Sequence, residues 1–387
     1  MSAVHTASLD RQMMAMALTM ARRGLGQTAP NPAVGAVLVD PATGEIVARG
    51  WTQPGGRPHA ETEAIRRAGA RAKGATLYVT LEPCSHHGKT PPCCDAVIAA
   101  GIGRVVCAIG DPDPRVAGRG LDRLRANGVA VTQSVLAEEA HWMTRGHIVR
   151  VTERRPLVQL KLALSASGEV PRGGAGQPTW VTGPEARAHG HLLRAEADAI
   201  LVGRGTVADD DPELTCRLPG LAHRSPIRVV LATGAELPPT SKLARTARGV
   251  PVWLFCGPHA PADRLAGLED AGVKVTRVTT IGGHLWLPAV TEALAGAGIT
   301  RLLVEGGPSI WRAFGRAGLM DEVVLFRARL PSPAREGDPT RTLTPFIPTA
   351  GLELVDVRRL PTDEILHFRA RRSITHASTS GPLGGRH

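Results

Sequence analysis

Two short segments bring together side chains suited to zinc chemistry: P-H-A-E at 58–61, and E-P-C-S-H-H-G-K-T-P-P-C-C at 82–94. A catalytic zinc takes three nitrogen and sulfur ligands from the protein and keeps a fourth position for water. His59, Cys84 and Cys93 can supply that set. The metal lowers the pKa of the water from about 15.7 towards 7. Glu61 lies two residues after His59 on the same first helical turn, from which a carboxylate can relay protons without binding metal. Zinc deaminases combine these parts: hydroxide adds to an amino-bearing ring carbon, and the glutamate carries protons to the ring and to the departing ammonia. A closed structural zinc with four protein ligands is the competing arrangement, since Cys94, His86 and His87 are close by. Cys94 is expected to face away, and Cys107, within an apolar strand, to be a small core residue.

The second half carries weaker signals. V-E-G-G-P-S at 304–309 sets two glycines between an apolar strand and a helix start, where backbone amides can approach a phosphate, although a plain strand-to-helix turn would look the same. T-V-A-D-D-D-P-E-L-T-C-R at 206–217 places three aspartates between an apolar strand and a further arginine, which reads as a functional loop rather than a solvated face.

The elements that must hold these residues follow from periodicity. Met13, Met16, Ala17 and Met20 predict a helix over 9–23 with a core-facing stripe. Strands over 34–40 and 45–51 form a pair around the turn formers Pro41 and Gly44. Helices over 59–72, 93–100, 120–127 and 137–149 then alternate with strands over 75–81, 104–109 and 129–132, the pattern of a layered α/β domain. Pro58 and Pro92 sit where prolines favour helix starts, just ahead of His59 and Cys93, and the partial positive charge of a helix start favours thiolate and hydroxide. T-E-R-R-P at 152–156 has no periodicity and reads as a linker between domains at 1–152 and 156–372, with a disordered tail over 373–387. Strands over 157–163, 199–202, 227–232, 251–256, 301–305 and 321–326, a Gly-rich loop over 168–176 and a helix over 184–196 describe a second α/β unit. Cutting near Arg155 is expected to leave two separately active halves.

Composition narrows the partners. A chain of 387 residues exceeds one typical core and agrees with two. No stretch approaches the roughly 20 apolar residues of a membrane span, and the N-terminus lacks a secretory pattern, so a cytoplasmic location is expected. Three of the six cysteines fall within eleven residues, which argues for metal rather than disulfides. The net charge of +11 would suit nucleic acid, but the arginines are scattered, and one Tyr and five Phe give few stacking platforms for bases. Small phosphorylated molecules are the expected partners, with no nucleic acid and no membrane.

The cysteine spacing selects a substrate class. Nucleobase and nucleoside deaminases usually show P-C-x-x-C, whereas here eight residues separate Cys84 from Cys93. That insert, together with N-P-x-V-G at 31–35, P-H-A-E, the run 80–94 and D-P-x-P-x-V-A-G-R-G at 111–120, resembles the pyrimidine deaminase of bacterial riboflavin biosynthesis. L-K-L-A-L-S at 160–165, T-W-V-T at 179–182, H-L-L-R at 191–194 and the aspartate-rich loop resemble the reductase of the same bifunctional family. The resemblance implies an α/β fold: a cytidine-deaminase-like three-layer domain followed by a dihydrofolate-reductase-like domain. It also implies one zinc, NADPH and a homo-oligomer. The implied activity is hydrolytic deamination of 2,5-diamino-6-(5-phosphoribosylamino)pyrimidin-4(3H)-one, then reduction of the ribosyl to the ribityl side chain.

By that resemblance Asn31, Lys89 and Asp111 contact the pyrimidine or phosphate in the deaminase. NADPH is held by Ala163, Trp180, Thr206, Asp210, Thr233 and the Gly307 loop, while Pro178, Arg194, Leu214, Arg217 and Glu305 surround the substrate, with Lys161 assisting. Guanidinium forks such as those of Arg194 and Arg217 match phosphate oxygens. Thr52, Asp113, Ser167 and Ala232 stand where the family commonly has His, Asn, Asp and Asp, so no contact is carried over at these positions. The alternatives are a nucleic-acid or nucleoside deaminase with an accessory domain, and a zinc-stabilised scaffold without activity. Ammonia release from a free phosphoribosyl pyrimidine would count against the first, and a fourth protein ligand would support the second.

Overall fold

A computed structural model describes residues 3–170, 182–329 and 339–371. Pro178, Trp180, most of the Gly-rich loop and the tail expected to be disordered lie outside the described residues.

The first helix, α1 (Ala3–Arg22), buries Met13, Met14 and Ala17 against one face of a five-stranded sheet. The chain then runs through β1 (Gly35–Val39), β2 (Ile46–Trp51), α2 (Ala60–Ala68), β3 (Thr76–Val79), α3 (Cys93–Ala99), β4 (Arg104–Cys107), α4 (Arg119–Ala126) and β5 (Ala130–Gln133). The strand order is β2-β1-β3-β4-β5, antiparallel through β1 and parallel from β3 to β5. Ala60 and Ala64 of α2, Val97 of α3, and Leu121 and Leu124 of α4 pack on the face opposite α1. Ala140 of α5 (Ala137–Glu153) returns to the α1 side. The three layers expected from the sequence are present.

The second unit contains β6 (Leu157–Leu164), α6 (Pro184–Glu196), β7 (Ala199–Gly203), α7 (Arg204–Asp210), β8 (Ile227–Leu231), α8 (Lys242–Arg245), β9 (Val252–Cys256), α9 (Ala262–Asp270) and β10 (Lys274–Arg277). After them come β11 (Thr280–Ile281), β12 (His284–Leu285), α10 (Leu287–Gly296), β13 (Arg301–Val304), α11 (Pro308–Arg316), β14 (Glu322–Ala328), β15 (Leu352–Arg359) and β16 (Asp363–Ala370). Nine strands form one sheet in the order β10-β9-β8-β7-β13-β6-β14-β16-β15, with only the last two antiparallel to their neighbours. The helices α6 to α9 cover one face, and α10 and α11 the other. Alternation along β6 turns Leu160, Leu162 and Leu164 into the core beneath α10 and α11, and turns Lys161 and Ala163 the other way.

The segment 152–156 is not the linker expected from its charges. α5 continues through Glu153, and Arg155 is buried. Its terminal nitrogens donate to the Asp321 carboxylate at 2.6 and 2.9 Å, and Asp321 also accepts from the Val158 backbone at 2.8 Å. Arg301 donates to the Met143 carbonyl at 2.9 Å, and Arg150 to the Ala295 carbonyl at 2.9 Å. A Cβ on Gly146 would come within 2.9 Å of the Thr300 carbonyl, so the helix backbone lies directly on the second unit. Arg155 finds one counter-charge nearby, in Glu153 at 2.7 Å, and the other far along the chain, in Asp321. The two units meet along an interface built on α5 and the segment that follows it.

Candidate active sites

In the first half, the backbone around His59 and Cys93 decides where their side chains go. His59 is the N-cap of α2, in extended conformation, and Cys93 is the first residue of α3 after the N-cap Pro92. Both helix starts point at the loop that follows β3 and carries Cys84. His59 Nδ1 lies 3.3 Å from Cys93 Sγ and 3.8 Å from Cys84 Sγ, and the three ligand atoms lie within 4.8 Å of one another. Tetrahedral zinc with ordinary bond lengths separates nitrogen and sulfur ligands by about 3.5 Å. The donor set therefore fits the metal. Cys93 N–H donates to Cys84 Sγ at 3.3 Å, which favours a thiolate, and hydrogen bonding from Cys93 and His59 holds the Cys84 thiol well below its ordinary value.

The competing four-ligand arrangement finds no support in Cys94. Its thiol points away and donates to the carbonyls of Pro83 and Gly120 at 3.3 and 3.4 Å. Cys107 is fully buried, with its thiol donated to the Ile109 carbonyl, as expected of a core residue. Glu61, in the first turn of α2, is only 3% exposed. Burial pushes its carboxyl up, and the neighbouring His59 partly offsets this. A buried carboxyl beside the ligand cluster has the chemistry of a proton carrier.

A residue the sequence reading left without a role organises the rest. Glu82, buried near the start of the loop that follows β3, accepts from the backbone N–H groups of Asp111, Gly118, Gly120 and Leu121 at 2.9–3.3 Å. It ties the start of the cysteine run to the 111–121 loop. Gly120 has no room for a side chain, since a Cβ would meet the Pro83 carbonyl at 2.2 Å. Within this loop Asp111 Oδ1 accepts from the Asp113 backbone at 2.9 Å and contacts His147 Nε2 at 3.2 Å. Asn31 is half-buried and donates to the Gly56 carbonyl at 2.8 Å, and Lys89 is exposed on the cysteine loop. Thr52 is buried and accepts from the Val34 backbone, while Asp113, held near a pKa of about 2 chiefly by Arg115, is engaged with that neighbour.

The second half contains a cleft of about 1290 Å³ at the carboxyl ends of parallel strands, the usual ligand position in such sheets. Lys161, Ala163 and Ser165 come from β6 and its turn, Thr206, Asp209 and Asp210 from α7, and Glu305 to Pro308 from the turn into α11. Six expected residues, Lys161, Ala163, Thr206, Asp210, Glu305 and Gly307, thus share one cavity. Gly168 to Val170, at the start of the Gly-rich loop, line it too, and Trp311, Arg312, Pro345 and Phe346, which no local motif announced, complete the wall.

Arg194 lies behind this wall. It donates to both Glu305 oxygens at 2.8 Å and to the Thr215 carbonyl at 3.0 Å. Burial pushes Glu305 up, but Arg194 and Lys161 outweigh it and hold the carboxyl at about 2. Lys161 Nζ is 3.9 Å from Glu305, and burial pushes its ammonium below the ordinary lysine value. Leu214 is buried with φ of 56°, and Arg217 is exposed, with Glu213 at 3.5 Å. Thr233 does not line the cleft; it follows β8, where its carbonyl accepts from Gly257. Ser167 pairs with Ser165 in the turn after β6, and Ala232 is buried in the core.

Comparison with known proteins matches this division. The family described as "Cytidine and deoxycytidylate deaminase zinc-binding region" matches residues 7–109, and "RibD C-terminal domain" matches 156–359. The riboflavin biosynthesis protein RibD of Escherichia coli is 40% identical over 370 residues, covering 92% of this chain and 96% of that protein. Its counterpart in Aquifex aeolicus is 39% identical over 320 residues, covering 83% and 87%. Among solved structures, Acinetobacter baumannii RibD superposes with a TM-score of 0.79 at 32% identity, covering 95% of this chain and all of that one. A deaminase/reductase from Thermotoga maritima gives 0.78 at 31% identity, with the same coverage. With a zinc-ligand cluster in its cytidine-deaminase-like half and a cofactor-sized cleft in its dihydrofolate-reductase-like half, the chain belongs to the RibD family of bifunctional deaminase–reductases of riboflavin biosynthesis.

Proposed function

We propose that the chain hydrolytically removes the 2-amino group of 2,5-diamino-6-(5-phosphoribosylamino)pyrimidin-4(3H)-one and then reduces the ribosyl side chain of the product with NADPH. The observation that carries the first step is the convergence of His59 Nδ1 and two cysteine sulfurs beside a buried glutamate. His59, Cys84 and Cys93 would hold zinc, which would supply a water activated at neutral pH. Glu61 takes the proton of that water and delivers protons to the ring and to the leaving ammonia, a role suited to a carboxyl raised by burial. Asn31, Lys89 and Asp111 are assigned to the pyrimidine and its phosphate.

In the second step the hydride goes to C1 of the sugar and a proton to the ring oxygen, so that ribosyl opens to ribityl. Ala163, Thr206, Asp210, the Gly307 loop, Trp180 and Thr233 are assigned to the cofactor. The Gly306–Gly307 turn into α11, where backbone can approach closely, suits a phosphate of the dinucleotide. Pro178, Leu214, Arg217 and Glu305 are assigned to the substrate. Arg194, spent largely on Glu305, acts by shaping the wall, and exposed Arg217 is the better phosphate ligand. Lys161 holds the proton that the opening sugar takes up. One activity is assigned to each of the units 1–152 and 156–372, and the chain is taken to assemble with further copies of itself. No helix among the described residues is long and apolar enough to cross a membrane. Supplying the diaminopyrimidinone phosphate and following ammonia and NADPH oxidation together tests the proposal; ammonia release without NADPH oxidation would leave only its first half standing.

A further inference from the structure

Three consecutive residues of α5 face two ways. Arg145 lies 3.8 Å from Asp321, and Gly146 rests its backbone on the Thr300 carbonyl, both in the reductase half. His147 reaches in the other direction, to Asp111 in the substrate loop of the deaminase. We infer that His147 is a positioning residue of the deaminase, holding the Asp111 carboxylate in the orientation that receives the pyrimidine substrate. This rests on the assignment of Asp111 to that substrate.

The geometry leaves His147 the deciding contact. The Asp111 backbone is already fixed, because its N–H donates to the buried Glu82 carboxylate at 3.2 Å. What remains free is rotation of the side chain. Oδ1 is caught between the Asp113 N–H at 2.9 Å and His147 Nε2 at 3.2 Å, while no hydrogen bond among the described residues reaches Oδ2. The carboxylate is thus pinned by one oxygen and offers the other. Both side chains are about 10% exposed, so solvent screens the contact little. His147 Nδ1 is buried without a partner, so no second hydrogen bond competes for the ring, and the contact requires the proton on Nε2. The ring is carried by a helix clamped to the reductase sheet through Arg155 and Asp321, which gives the contact a rigid base.

The test uses the full-length, zinc-loaded chain. His147→Phe keeps a ring of similar shape but no donor, and His147→Gln restores an N–H. Ammonia release is measured against substrate concentration, with zinc content and NADPH oxidation on pre-deaminated substrate as companion readouts. The Phe variant is expected to raise KM about tenfold and leave kcat within about twofold, the signature of lost ground-state orientation. Zinc per chain and the reductase rate stay unchanged, and the Gln variant recovers most of the KM. An unchanged KM in the Phe variant overturns the inference, as does a joint fall of kcat and zinc that Gln does not rescue. His147→Leu repeats the measurement should the Phe variant fail to fold. Asp111→Asn separates the two levels: if it leaves KM unchanged, the substrate role of Asp111 falls; if it raises KM while His147→Phe does not, only the positioning role falls.

Discussion

Arg155 and Asp321, 166 residues apart in sequence, form a buried two-pronged ion pair at the seam between the two catalytic halves. Removing one partner of such a pair typically costs about 3–5 kcal/mol, and the Val158 N–H and Arg145, which still face Asp321, keep the loss towards the lower end. Arg155→Ala is therefore expected to lower stability by that order in urea unfolding followed by circular dichroism. A loss below about 0.5 kcal/mol would show that water reaches Asp321 and that the seam is looser than described.

Glu61→Gln is expected to keep its zinc and lose about 10²–10⁴-fold in ammonia release, because an amide can hold a hydrogen bond but cannot shuttle a proton. Metal analysis beside the rate assay checks this. Near-normal release from a zinc-loaded variant would remove Glu61 from the mechanism.

Cys84→Ser and Cys93→Ser are expected to lose most of their metal, since neutral serine is a far poorer zinc ligand than thiolate, whereas Cys94→Ser keeps it. Chelation of the intact chain silences ammonia release and spares NADPH oxidation on the deaminated product. Equal zinc in all three serine variants would mean that the wrong cysteines were chosen.

The reductase is expected to lose kcat/KM on the alkaline side at a pH below the ordinary lysine value of about 10.4. Burial lowers the Lys161 pKa, with Glu305 opposing, so the proton required by the proposed role is lost earlier as pH rises. Lys161→Met should remove both this limb and most of the rate. A limb at or above 10.4 that survives in the Met variant would assign the titration to another group.

The zinc site was legible in the sequence because its ligands and Glu61 lie within 35 residues and two of the ligands sit at helix starts marked by proline. The reductase cleft was legible only in part. Its walls come from Lys161, Thr206, Glu305, Trp311 and Phe346, and nothing local brings such distant positions together. The pair β15 and β16 was not assigned: β15 alternates only on either side of a register shift between Leu354 and Asp356, and most of it is exposed. Glu82 escaped for a different reason: its four partners are backbone N–H groups, which leave no trace in residue types. The segment 152–156 shows no periodicity because it is a helix end followed by a buried Arg155 whose partner Asp321 lies far along the chain.

The double engagement of Arg194 has a thermodynamic meaning for whatever enters the second cleft. By holding Glu305 with one edge and the Thr215 carbonyl with another, it fastens the turn after β13 to the loop after α7 before any ligand arrives. The order that a binding event would otherwise impose on these two segments is thus established during folding, so less of the intrinsic binding free energy is consumed in arranging them. Preorganisation of this kind makes the affinity of the cleft sensitive to an arginine that need not touch the ligand.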